Sequence, residues 1–198
     1  ILYVVVAILV VTAVSNGANL TDGLDGLVTG VSAPIVLVLG ILAYLSGHIV
    51  YADYLNIMYI PGSGELVVFA AALAGALVGF LWYNSFPAQI FMGDTGSMFL
   101  GGVVCALGVG CGAEFLMLMA ALVYICEALS VVIQVTVFKI TKKIYHTKEG
   151  KRLFKMTPIH HHFELSGWSE LKIDVVFSLT AAVLGAGAVL LAMNMFAR

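Results

Sequence analysis

The sequence predicts an all-α fold, a polytopic membrane helix bundle forming one integral membrane domain over residues 1–198. Three observations carry this. Hydrophobic residues make up 62% of the chain and charged residues 10%, with a mean hydropathy of +1.08, whereas an average soluble domain is about 25% charged. Apolar runs recur at the length that crosses a bilayer, about 20 helical residues for a hydrocarbon core of about 30 Å. Basic residues gather in one place: eight of the nine Lys and Arg lie between Lys139 and Lys172.

The runs are Ile1 to Ser15, Leu27 to Gly47, Leu66 to Tyr83, Met98 to Phe138 and Val175 to Ala197. The first is short and is expected to be a span already under way at residue 1, so the chain reads as the C-terminal part of something larger. It lacks the basic flank and small-residue cleavage site of a signal peptide. The fourth holds 41 residues, about 61 Å as one helix, which no bilayer accommodates. It is expected to fold back at "GVGCGAE", Gly108 to Glu114, where three glycines loosen the helix and Glu114 seeks water. Six transmembrane segments result. Cys105, Cys111 and Cys126 lie in apolar runs without a CxxC pair and are expected to be buried thiols.

Alternating spans put three polar connections, about residues 16–26, 84–97 and 139–172, on one face. The basic residues sit on that face and are missing from both connections of the other, so the positive-inside rule makes it cytoplasmic. Asn19, Asp22, Asp25, Asn84, Asp94 and the triplet His160, His161 and His162 all fall there. One-sided polar chemistry at a membrane surface suits a soluble substrate paired with a lipid one. The run "KITKKIYHTKEGKRLFK" is also explained by attraction to anionic lipid.

In "NLTDGLDG", Asn19 or Thr21 is expected to cap a helix entering the second span, placing Asp22 and Asp25 on its first turn. Asp-Gly turns account for the same residues without chemistry; the functional alternative is a pocket accepting hydrogen bonds from a sugar or base, or helping to hold a cation. The spacing is not that of an EF-hand. In "FPAQIFMGDTGS", glycines let backbone N–H groups approach an anion, and Asp94 can ligate a hard cation such as Mg2+ or cap the next helix. Phe86 and Phe91 flank it as stacking platforms, and the Lys of a Walker A loop is missing. In "TPIHHHFE", Thr157 as cap and Pro158 at the first helical position announce a short helix. Successive helical side chains point about 100° apart, so three adjacent imidazoles do not converge on one metal ion. They are expected to face a phosphate at a helix N-terminus, or to fill a polar surface. Glu127 costs about 2.5–3.5 kcal/mol if it faces lipid, so it is expected to face protein or a water-filled groove.

Together, NLTDGLDG, FMGDTGS and PIHHHFE resemble the phospho-N-acetylmuramoyl-pentapeptide-transferases of the polyprenyl-phosphate sugar-1-phosphate transferase superfamily. The resemblance covers essentially the whole chain, and PIHHHFE separates this branch from its relatives. It implies transfer of phospho-MurNAc-pentapeptide from UDP-MurNAc-pentapeptide to undecaprenyl phosphate, yielding lipid I and UMP in the first membrane step of peptidoglycan synthesis. It further implies Mg2+, ten spans, a homodimer in the bacterial cytoplasmic membrane with its active site on the cytoplasmic face, and inhibition by nucleoside antibiotics; no nucleic-acid partner is expected. By the same resemblance Asp94 binds the metal, with Asn19 as second ligand. Phe91 stacks on uracil, Asp25 and Gly23 contact the base, and Asn84, Asp22, His160 and His161 line the nucleotide-sugar pocket. His160, His161 and His162 join Asp94 as catalytic residues. The family's paired-aspartate motif, DDxxD, has no counterpart here, since the sequence contains no adjacent Asp pair. These 198 residues alone are therefore expected to release no UMP. Rival readings are a sister transferase using UDP-GlcNAc, and a transporter with Glu127 as an intramembrane relay. One-sided clustering of polar residues and the lack of an inverted repeat argue against the transporter.

Overall fold

The computed structural model describes residues 1–55, 57–145 and 149–195, with side chains to residue 193. Lys148 of the basic run and the expected end of the last span at Ala197 lie outside them. Among the described residues the chain is helical and without strands, and six helices are long and apolar enough to cross a membrane. Helices satisfy their own backbone groups, which lipid cannot do for them.

Helix α1, Leu2–Thr21, runs beyond the apolar stretch that ends at Ser15. Its polar end stays helical because side chains bond back onto the preceding turn: Asn16 Nδ2 donates to the Thr12 carbonyl at 2.8 Å, and Thr21 Oγ1 to the Gly17 carbonyl at 2.8 Å. Asn19 and Thr21 therefore close the first span and do not cap the second, and Asp22 caps α1 at its C-terminus. The reversal falls on residues 22–26, with Gly26 at φ +81°, a left-handed conformation suited to glycine. Asp22 and Asp25 thus belong to the turn, not to the first helical turn of the second span.

Helix α2, Leu27–Gly47, is the centre of the bundle: fourteen of its 21 residues are buried, a larger share than in any of the other five spanning helices. It packs on α4, Leu66–Asn84, on α5, Gly93–Gly110, and on α9, Glu170–Met195. Gly30 lets α9 approach, since a Cβ there would meet Ser178 Oγ and lie 2.8 Å from Asp174 Oδ1. On the face away from the motif loops, the connection from α2 to α4 forms a short α3, Ile49–Tyr54, and a 3-10 turn, Ser63–Glu65, joined to α2 by the Ser46 and Ser63 hydroxyls at 3.1 Å.

The long apolar stretch folds back where expected. Helix α5 ends at Gly110, Gly112 takes φ +59°, and α6, Glu114–Ala120, starts the return. The path breaks again at Ala121 before α7, Leu122–Tyr145. Backbones of α1 and α7 nearly touch, because a Cβ on Gly17 would sit 2.7 Å from the Tyr124 carbonyl oxygen. Residues 128–145 carry α7 on for about 27 Å past Glu127, seven residues beyond the expected end at Phe138. Gln134 holds the returning chain against this arm, accepting from the Leu153 and Phe154 N–H groups at 2.9 and 3.0 Å.

Helix α8, Ile159–Glu164, starts one residue later than Pro158 was expected to start it; Pro158 is its N-cap, with ψ 171°, and Thr157 lies outside. Helix α9 begins at Glu170, so Glu170 and Asp174 lie inside the final helix, ahead of the expected start at Val175. Cys105 and Cys111 are buried as expected, but Cys126 is exposed, in an apolar groove between α7, α8 and α9. An apolar run does not reveal which of its faces meets lipid.

Candidate active site

Three turns meet at one end of the bundle. The α1–α2 turn supplies Asn19, Asp22, Gly23 and Asp25; the α4–α5 connection supplies Asn84, Phe91 and Asp94; α8 supplies the histidines.

The first junction joins α1 to α5. Asn19 Nδ2 donates to Asp94 Oδ1 at 3.1 Å and to Ser97 Oγ at 3.0 Å, so the end of one helix grips the first turn of the other. Asp94 is exposed in that first turn and Ser97 is buried behind it. The helix N-terminus suits the carboxylate, whose charge complements the helix dipole. Asp22 stands near this pair. Burial, and secondarily the negative charge of Asp94, push its carboxyl above the usual carboxylate range.

That shift has a sign. A carboxyl raised in the folded state takes up a proton more readily than in the unfolded chain, so its contribution to stability is full at pH below the unfolded value and is lost as pH rises through the folded one. Asp22→Asn is expected to raise the thermal midpoint at pH 7–8 in metal-free buffer and to flatten its fall with rising pH. Midpoints of both proteins measured from pH 4 to 8 check this, and parallel curves would contradict it.

The second junction fixes the α4–α5 connection. Asp25 Oδ2 accepts the Ala88 N–H at 2.8 Å. Buried Asn84 accepts from Thr29 Oγ1 at 2.7 Å and donates to the Ile90 carbonyl at 2.9 Å. Asn84 thus braces the loop that presents Phe91, a residue 71% exposed. An exposed aromatic ring on a braced loop can stack on a planar group.

The third junction involves the histidines, which do not converge on one point: the His160 and His161 rings lie against each other and His162 is directed elsewhere. His160 is fully buried, with Nδ1 3.1 Å from Glu127 Oε2. Its ring lies under Gly23, where a Cβ would fall 2.3 Å from Nε2. Glu127 is likewise fully buried and faces protein, as expected. His161 pairs through Nδ1 with Glu164 Oε2 at 2.8 Å, and its ring centre is 4.2 Å from that of His160. His162 turns away; its Nδ1 accepts the Lys155 N–H at 3.1 Å and its ring meets Phe154 edge-on.

A model of one protein family, described as glycosyl transferase family 4, matches residues 1–112, which include the Asn19–Asp94 junction. The chain belongs to this family. Curated relatives extend the likeness over the histidine helix. A phospho-N-acetylmuramoyl-pentapeptide-transferase of Flavobacterium johnsoniae is 52% identical over 182 residues, 92% of this chain and 44% of the relative. Proteins of the same name from Azobacteroides pseudotrichonymphae and Porphyromonas gingivalis are 55% and 58% identical over 91% and 84% of this chain, and 43% and 39% of their own lengths. The chain therefore spans less than half the length of these relatives.

Membership in the family leaves the donor set to be judged on its chemistry. Among the described residues, no three His, Cys, Asp or Glu side chains group as a metal cage. Asp94 and Asn19 offer hard oxygens beside a second carboxylate, Asp22, whose carboxyl is pushed above the usual carboxylate range by burial and by the charge of Asp94. Mg2+ uses one or two protein carboxylates and takes its other ligands from water and substrate phosphates, so this set fits it. Sequence reasoning missed Thr29, the partner of Asn84, and Asp174, beside Gly26 and Gly30. Thr29 sits in an apolar run and carries no local signal. Asp174 was legible as an acidic residue four after Glu170, had the last helix been started earlier.

Proposed function

We propose that the chain forms the greater part of the active site of a phospho-sugar transferase in the bacterial cytoplasmic membrane. The enzyme moves phospho-MurNAc-pentapeptide from UDP to undecaprenyl phosphate and gives lipid I and UMP. The observation that carries this is the convergence of the DGLDG turn, the Asp94 turn and the histidine helix on one end of the bundle, in a chain about half identical to proteins of that name. The basic residues beside these turns favour the cytoplasmic face.

An oxygen of the lipid phosphate forms a bond to the phosphorus carried by the sugar, and the bridging P–O bond breaks, UMP leaving with the bridging oxygen. The attacking phosphate is already anionic at neutral pH, so the protein's task is positioning and charge neutralisation. Asp94 and Asn19 would hold Mg2+, which supplies charge neutralisation to the pyrophosphate. Phe91 would stack on uracil, Gly23 and Asp25 would meet the base, and Asp22 and His161 would line the sugar side, with buried Asn84 and His160 supporting the loops from behind and not touching the sugar. Asp25 does this while clamped to Ala88, which keeps the base pocket at fixed width. His162, directed at Lys155, would order the entering loop. A homodimer and sensitivity to nucleoside antibiotics belong to the same proposal.

The full-length protein in membranes with undecaprenyl phosphate and Mg2+ is expected to release UMP from UDP-MurNAc-pentapeptide and not from UDP-GlcNAc. The reverse preference would assign it to the sister transferase, and release from neither would overturn the reading.

A further inference from the structure

We infer that Glu127 is a positioning residue: through buried His160 it holds the Gly23 turn, between Asp22 and Asp25, at the height the nucleotide sugar requires. This rests on the transferase reading above and adds to it a residue outside the three motif loops.

Four observations lead to it. A carboxylate within an apolar helix is expensive and persists where it has a partner. Both side chains are fully buried with Nδ1 and Oε2 at ion-pair distance, 3.1 Å, and among the described residues neither carboxylate oxygen nor either ring nitrogen makes a hydrogen bond, so each has only the other to answer its polarity. Helix α8 has six residues, too few to be stable unaided, so the pair serves to pin it to α7. The ring also lies against the α1–α2 turn through its Nε2 end, since a Cβ on Gly23 would meet Nε2 at 2.3 Å and Cε1 at 2.8 Å. Raising or tilting the ring moves the turn carrying Asp22 and Asp25.

Buried charged pairs are weak contributors to stability and better attested as devices that fix one arrangement among several. Here the arrangement fixed is that of α8 against the turn. Asn19 and Asp94 are joined through α1 and α5 and do not touch the pair. Glu127 should accordingly govern the fit of the nucleotide sugar and leave the metal alone.

The test is a double-mutant cycle on the full-length protein, reading UMP release against nucleotide-sugar and Mg2+ concentration. Glu127→Leu is expected to lower kcat/KM for the nucleotide sugar by about tenfold to hundredfold, as loss of a partner that orients a functional histidine does. The half-saturating Mg2+ concentration should stay within about twofold. Glu127→Gln keeps an acceptor and the side-chain shape, and is expected to lose only about threefold. Either change added to His160→Ala should cost nothing more, because its effect passes through the ring. Losses that multiply in the double variants, an equal shift in Mg2+ dependence, or full activity of Glu127→Leu would overturn the inference. Should Glu127→Leu fail to fold, the Glu127→Gln arm of the cycle gives the same decision. A wild-type protein that releases no UMP would instead sink the transferase reading, a result separate from unchanged kinetics in the variants.

Discussion

Asp94→Asn should lower Mg2+-dependent UMP release by the full-length protein by about a hundredfold or more, the scale on which loss of one preorganised electrostatic contact to a reacting group is felt. The substitution keeps size and shape, and the new amide oxygen can still accept from Asn19 Nδ2, now 3.1 Å from Asp94 Oδ1. The junction of α1 and α5 should survive. What disappears is the charge, and with it the hard anionic ligand Mg2+ prefers. Two measurements separate this from unfolding. Asp94 also raises the Asp22 carboxyl, so the variant's thermal midpoint without metal should be equal to or above that of the wild type. Added Mg2+ should raise the wild-type midpoint, because a ligand bound only by the folded state stabilises it, and leave the variant's unchanged. Full activity in Asp94→Asn would remove this residue from the metal site.

The six spans were legible because crossing a bilayer demands a length and composition that little else in the chain imitates. Their polar ends were not. Asn16, Asn19 and Thr21 look like signals that a helix is about to start, yet Asn16 and Thr21 return their side chains to carbonyls four residues back and prolong the helix that came before. The local chemistry is identical in the two cases; which one occurs is settled by Gly26, whose positive φ makes the turn. Glu170 and Asp174 precede the apolar run that starts at Val175 yet lie inside the last helix, since carboxylates at the first turns of a helix are comfortable there and need not lie in a loop.

The site itself divides along the same line. That the three histidines do not converge on one point follows from the helical repeat alone; that the His160 and His161 rings touch does not. That Glu127 had to face protein followed from its cost in lipid, but that the partner is His160 required knowing that α7 passes under α8. The packing of Gly23 on the His160 ring joins positions far apart in sequence and leaves no trace in either motif taken singly.

Two glycines allow the most direct trial of how helix packing sets the site. Gly101 and Gly79 both lie inside apolar helices, and replacing either by Ala removes the same backbone freedom, a gain of up to about 1 kcal/mol in a water-exposed helix. Their surroundings differ. A Cβ on Gly79 meets nothing within 4 Å, whereas one on Gly101 would fall 2.5 Å from Ser15 Cα and 2.8 Å from the Val14 carbonyl oxygen. Those are backbone atoms of α1 and have no rotamer by which to escape. Gly79→Ala should leave the midpoint unchanged or raise it, and Gly101→Ala should cost about 1–3 kcal/mol, the usual scale of overpacking. The second effect reaches the site. Ser15 Oγ bonds the Met98 carbonyl at 2.8 Å, Asn19 lies one turn further along α1, and Asp94 and Ser97 lie on the matching turns of α5. Forcing α1 away from α5 at Gly101 must lengthen the Asn19–Asp94 contact unless one helix bends between them. Gly101→Ala should therefore raise the Mg2+ concentration needed for half-maximal UMP release by about tenfold, equivalent to about 1.4 kcal/mol, while Gly79→Ala leaves it alone. A Gly101→Ala protein that loses stability but keeps its Mg2+ dependence would show that the metal pair is held by its own loop and not by the packing of the two helices.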